Sequence, residues 1–130
     1  VIEWRRTGRR IVLDIDILRP DPATDLTAVR VVALLDTGAT SSGVAKRIAD
    51  ELRLPSIGKE PINTAGGTIL AERFLFRVAF PISGSFPHVF DDITGFELTD
   101  HGSFQAVLGM DVLCRCDFTM QRNGDCTLRF

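Results

Sequence analysis

Val31-Val32-Ala33-Leu34-Leu35 runs directly into Asp36-Thr37-Gly38-Ala39. A carboxylate at the end of a buried strand is costly to desolvate, so its presence there asks for a reason. The chemistry such a group supports is water activation. Two carboxylates that share one proton supply a base for the attacking water and an acid for the carbonyl it attacks. Like charges held close together do not both ionise readily, so such a pair titrates as a unit. The Asp-Thr-Gly-Ala motif occurs once in this chain, so the second aspartate has to be found elsewhere.

The other reactive side chains read more simply. Cys114, Cys116 and Cys126 lack the paired spacing of a zinc site, and His88 and His101 lie well upstream of them. The cysteines are expected to be small buried apolar side chains, with no metal or cofactor. Asp91, Asp92 and His101 read as a solvent-exposed acidic loop in preference to metal ligands. No nucleophile is marked for His88 to activate. Arg5, Arg6, Arg9 and Arg10 beside Trp4 read as a solvated terminus.

The elements that would position Asp36 follow from periodicity and turn residues. Residues 11–17 alternate in part with period two and predict a half-buried strand, broken by Pro20-Asp21-Pro22. Residues 29–35 predict a strand buried on both faces. One helix follows, capped by Ser41 or Ser42, with Val44, Ile48 and Leu52 on its apolar face and Pro55 ending it. Residues 60–80 predict a long hairpin turning at Ala65-Gly66-Gly67-Thr68. The stretch 83–103 predicts loop, with one strand near Val89. Ala106-Val107-Leu108-Gly109 predicts a short buried strand, and residues 110–113 a helical turn. A final hairpin is expected over residues 117–130, turning at Asn123-Gly124.

In order and spacing, the Asp36-Thr37-Gly38-Ala39 turn, the Gly-rich hairpin and the Val107-Leu108-Gly109 element together resemble the retroviral-type (retropepsin-like) aspartic proteases, especially their single-domain bacterial and cellular relatives. The resemblance implies a mostly-β, closed acid-protease barrel with one main α-helix, a flap hairpin and a single lobe per subunit. It implies an aspartic endopeptidase that cuts peptide or protein substrates as a symmetric homodimer, each copy donating Asp36 at the twofold axis. Thr37 would bond across the dimer, and Gly38 would let the loop turn tightly beside the substrate. Ala39 completes the loop. Ala65, Gly66, Gly67 and Thr68 would form the flap over the peptide. Val107, Leu108 and Gly109 would support the Asp36 loop from the core. Many viral members pair an acidic residue after Asp-Thr-Gly-Ala with an arginine after the later glycine; here those positions are the uncharged Thr40 and Met110. The strand at residues 126–130 could join a dimer sheet. A second reading is a catalytically weak or inactive dimer that serves as a peptide-binding or assembly module, because a fold does not guarantee an activity.

Composition sets the remaining bounds. The chain has 130 residues, enough for one domain, expected over 1–130. Apolar residues make up 45% of it and the mean hydropathy is +0.13, which suits an apolar subunit interface. A net charge of −2 gives no global argument for a nucleic-acid partner or an anionic membrane. No apolar run approaches the ~20 residues that span a bilayer. Three cysteines, an odd number, mildly favour a reducing compartment such as the cytoplasm. No secretory signal is visible, although a start at Val1 leaves a trimmed one open.

Overall fold

A computed structural model describes residues 1–100 and 102–130. His101 lies outside the described residues. The elements run β1 (Ile2–Arg5), β2 (Val12–Leu18), β3 (Ala28–Leu35), β4 (Gly43–Ala45), α1 (Lys46–Leu52), β5 (Ser56–Thr64), β6 (Gly67–Phe80), β7 (His88–Leu98), β8 (Ala106–Leu108), α2 (Met110–Leu113), β9 (Asp117–Met120) and β10 (Asp125–Arg129).

The main sheet closes on itself. β2 pairs with β3, β3 with β8, β8 with β4, β4 with β7, β7 with β6, and β6 returns to β2 through Asp16↔Ala79, Ile17↔Val78 and Leu18↔Arg77. Those strands form a closed six-stranded barrel, and β5 extends from β6 as the free arm of a long hairpin. Closure removes the unpaired edges that an open sheet would expose. Alternate residues fill the inside: Ile15 and Ile17 from β2, Ala33 from β3, Phe76 and Val78 from β6, Leu108 from β8. Burial of a side chain such as Ile15 or Phe76, both no more than 1% exposed, stabilises the fold by about 1.5–3 kcal/mol.

The sequence reading holds for the mostly-β barrel, β2, the β5–β6 hairpin, β8, α2 and the β9–β10 hairpin. Elsewhere it needs correction. β3 is buried on one face and only half-buried on the other. α1 starts later than expected, with Ala45 at its N-cap and no side-chain cap. Val44 and Ala45 belong to β4 instead, because β7 pairs with both and β8 pairs with Val44 on the other side. The helix ends at Arg53 in the left-handed region (φ 52), before Pro55. The strand expected near Val89 is present but much longer: β7 runs eleven residues through a stretch otherwise read as loop.

The terminus read as solvated is also a strand. β1 pairs with β10 from Ile2↔Leu128 to Arg5↔Asp125, and β10 pairs with β9 on its other side. β10 therefore has no free edge with which to join a dimer sheet; β1 and β9 are the edges. Trp4 packs near Phe118 across this sheet. Phe130 stacks on His88, with ring centroids 4.2 Å apart, and abuts Phe80 and Phe90. His88 thus sits in an aromatic cluster. Of the cysteines only Cys126 is buried; Cys114 is exposed and Cys116 intermediate. Burial pushes the Cys116 thiol up to about 11, which keeps it neutral in ordinary buffers. No described helix is long and apolar enough to cross a membrane.

One further contact shapes the barrel's rim. Arg77 is only 2% exposed, and its guanidinium donates to the carbonyls of Arg19 (2.6 Å), Pro22 (3.3 Å), Ala23 (3.2 Å) and Asp25 (2.5 Å). A buried charge is tolerable when its donors are met in this way. The same loop reaches α1, where Arg19 donates to the carbonyls of Leu52 and Arg53.

Candidate active site

Asp36 stands at the end of β3, where two neighbours fix the backbone. The Leu35 N–H donates to the Ile11 carbonyl (2.9 Å), and the Asp36 N–H to the Leu108 carbonyl (3.0 Å). The loop then folds back on itself. The Gly38 N–H donates to Asp36 Oδ1 at 2.9 Å, and the Ala39 N–H to the Asp36 carbonyl at 3.1 Å. A Cβ on Gly38 would sit 3.1 Å from that same Oδ1, so the residue's bareness leaves the carboxylate its room.

The loop is tied down from the far side by β8 and α2. The Met110 N–H donates to the Ala39 carbonyl (2.7 Å). Ser42 is 1% exposed; its Oγ accepts from the Gly109 N–H (3.0 Å) and donates to Asp111 Oδ1 (2.7 Å). The Ser42 N–H reaches Asp111 Oδ2 at 2.9 Å, and the Ser42 carbonyl accepts from the Phe96 N–H at 3.0 Å. Asp111 also accepts from the Val112 N–H. Gly109 is required for a steric reason: a Cβ there would lie 2.7 Å from the Ala39 carbonyl oxygen and from backbone atoms of Ser41. Sequence reasoning missed this clamp. It compared Thr40 with Met110, whereas the polar pair is Ser42 with Asp111. The available signal was an acidic residue two places after Gly109, facing a serine otherwise assigned to a helix cap.

Asp36 opens on a groove of about 600 Å³. One wall is the loop from Gly38 through Gly43. The opposite wall is the lower part of the hairpin, with Glu60 and Ile62 from β5 and Arg73 from β6; Phe96, Leu98 and Val107 lie at its side. The hairpin tip is set by Thr64, whose Oγ1 donates to the Gly67 carbonyl (2.7 Å) and accepts from the Gly66 N–H (3.2 Å). Gly67 takes φ +111, a conformation that residues with a Cβ rarely adopt.

The expected site residues are thus distributed as follows. Asp36, Gly38, Ala39 and Val107 meet at the groove. Leu108 and Gly109 are buried beneath it. Ala65, Gly66, Gly67 and Thr68 form an exposed tip beyond the groove walls. Thr37 faces a separate apolar pocket of about 160 Å³ with Ile11, Leu35, Met110, Leu113 and Phe118. Glu60 and Arg73 were not anticipated, because they lie thirteen positions apart and meet only through the hairpin register. Among the described residues, no group of three or more His, Cys, Asp or Glu side chains could hold a metal ion.

The family model described as aspartyl protease matches residues 25–112, which span the Asp36 loop, the hairpin and the Gly109 element. The chain belongs to the aspartyl protease family. The crystal structure of a retropepsin-like aspartic protease from Rickettsia conorii superposes with a TM-score of 0.58 at 21% identity, covering 98% of this chain and 99% of that one. That likeness carries the retropepsin-like fold, terminal strands included. No curated protein sequence matches the chain. The aspartyl protease match leaves out β1, β2, β9 and β10.

Proposed function

We propose that this aspartyl protease is an endopeptidase that works as a symmetric homodimer, with Asp36 of each copy forming the catalytic pair. The observation that most supports this is the setting of Asp36: a carboxylate held by its own loop, on a groove of about 600 Å³ lined on one side by a hairpin. One carboxylate of the pair takes a proton from water as its oxygen attacks the scissile carbonyl carbon. The other, protonated, gives its proton to the carbonyl oxygen. Collapse of the tetrahedral intermediate breaks the C–N bond and the amine leaves protonated. No enzyme–substrate covalent bond forms.

The supporting roles follow. Thr37 makes no hydrogen bond among the described residues, and its exposed hydroxyl is free to bond to a second copy. The apolar pocket beside it, with Met110 37% exposed, suits burial against that copy. The tip Ala65-Gly66-Gly67-Thr68 closes over the peptide and pairs with its backbone. Residues 1–130 act as one unit, since a continuous core runs from Leu13 to Leu128.

The test is digestion of a diverse peptide pool from acidic to neutral pH, with Asp36→Asn alongside. Cuts that vanish in the variant are the expected result. Binding of peptides without cutting, by a folded and dimeric wild-type protein, replaces this reading with the peptide-binding or assembly module.

A further inference from the structure

Inside the groove, charge is placed unevenly. Arg73 is locked: its Nη1 donates to both Glu60 oxygens (3.2 Å each), its Nη2 to the Thr94 carbonyl (3.1 Å) and Oγ1 (2.7 Å). Its guanidinium lies over the Phe96 ring, 4.9 Å from the centroid. The Arg73 Nε is buried without a partner. Its side chain is only 20% exposed, and both of its terminal nitrogens are already engaged. Glu60 differs. Its side chain is 52% exposed, and Nη1 of Arg73 uses only part of what two carboxylate oxygens can accept. The groove therefore presents an anchored carboxylate with open acceptor capacity, beside a cation whose terminal nitrogens are already held by Glu60 and Thr94.

We infer that Glu60 forms a charge-selective subsite, taking a basic side chain, arginine or lysine, of a bound peptide as a second partner opposite Arg73. The inference rests on the proposal that the groove holds peptides. A basic side chain there completes an Arg–Glu–cation chain and gains charge-assisted hydrogen bonds as the peptide excludes water. An acidic side chain at the same place meets Glu60 unpaired. Arg73 is the positioning residue, since it holds Glu60 in register through Thr94 and Phe96.

The experiment uses randomised peptide pools in which one position at a time is fixed as Arg, Gln or Glu. Cutting is measured with the wild-type protein, Glu60→Gln and Glu60→Lys. Capture of the same pools is measured on Asp36→Asn, with and without each Glu60 change. At one position the Arg pool is expected to exceed the Glu pool by about tenfold. The ratio is expected to fall towards one in Glu60→Gln and to invert in Glu60→Lys. Asp36-dependent cutting with no Arg preference, or a preference that survives Glu60→Gln, overturns the subsite and leaves the peptidase standing. Glu60-dependent capture without cutting keeps the subsite and removes the peptidase. Neither capture nor cutting overturns both.

Discussion

Ser42 binds three neighbours that the chain delivers separately: Gly109 ahead of α2, Asp111 within it and Phe96 on β7. Its Oγ both accepts and donates, so the loop bearing Asp36 is held by hydrogen bonds that cannot be traded one at a time. Gly109 shows how little slack remains. Its backbone is not strained, at φ −94, yet a methyl group there would strike backbone atoms that cannot move aside. Gly109→Ala is expected to cost about 1–3 kcal/mol in chemical denaturation, with loss of activity well beyond that of a surface substitution. Ala39 offers the opposite experiment. It has no hydroxyl to donate to a neighbouring carboxylate, so Ala39→Ser adds a bond that favours the charged form. The pH optimum for peptide cleavage should move to more acidic values; an unchanged or more alkaline optimum would refute the assignment.

The elements divide into those that sequence periodicity reveals and those that pairing alone explains. β2 and the β5–β6 hairpin were legible because apolar residues recur at strand spacing and glycines mark the turn. β7 was not. Asp91 and Asp92 interrupt its pattern, Gly95 breaks it again, and the ladder to β6 slips between Phe76 and Val78, with Asp92 at φ 56. β1 was hidden by Glu3 and by the arginines from Arg5 onward, so that within it only Ile2 and Trp4 pack towards the core. Asp36 could be singled out because a carboxylate after an apolar strand is anomalous by itself. Glu60 could not, since an acidic residue on an exposed strand is ordinary until the opposite wall is known. The loop at 19–25 carries its own pH signature. Hydrogen bonds from Thr27, first the backbone N–H at 2.9 Å and then the hydroxyl, hold Asp25 below its ordinary value of 3.8, with Arg77 and Arg19 adding to the effect. A lowered folded-state value means that this stabilisation is complete above pH 3.8 and lost as pH falls through the lower folded value. The stability gap between the wild-type protein and Asp25→Asn should therefore be widest above pH 3.8 and close in acid, as read from melting temperatures across pH.

At the scale of the whole molecule, one chain brings one Asp36, so the proposed enzyme is an assembly property. Specific activity should fall on dilution as dimers separate. Mixing equal amounts of wild-type protein and Asp36→Asn should leave roughly a quarter of dimers with both aspartates, by the statistics of symmetric pairing. Activity proportional to wild-type content alone would contradict the shared site. The terminal sheet bears on the proposed dimer. β10 is already paired on both sides, so in the proposed dimer its flanking strands β1 and β9, and the apolar pocket by Thr37, are the surfaces open to a second copy. The same sheet lays Ile2 directly against Leu128, which makes the first and last residues of the fold spatial neighbours. A short linker can join them, and new ends opened in the exposed run Ser83-Gly84-Ser85-Phe86 would leave every barrel pairing intact. The architecture is thus a ring in connectivity as well as in cross-section, and a circularly permuted chain should refold around the same Asp36 loop.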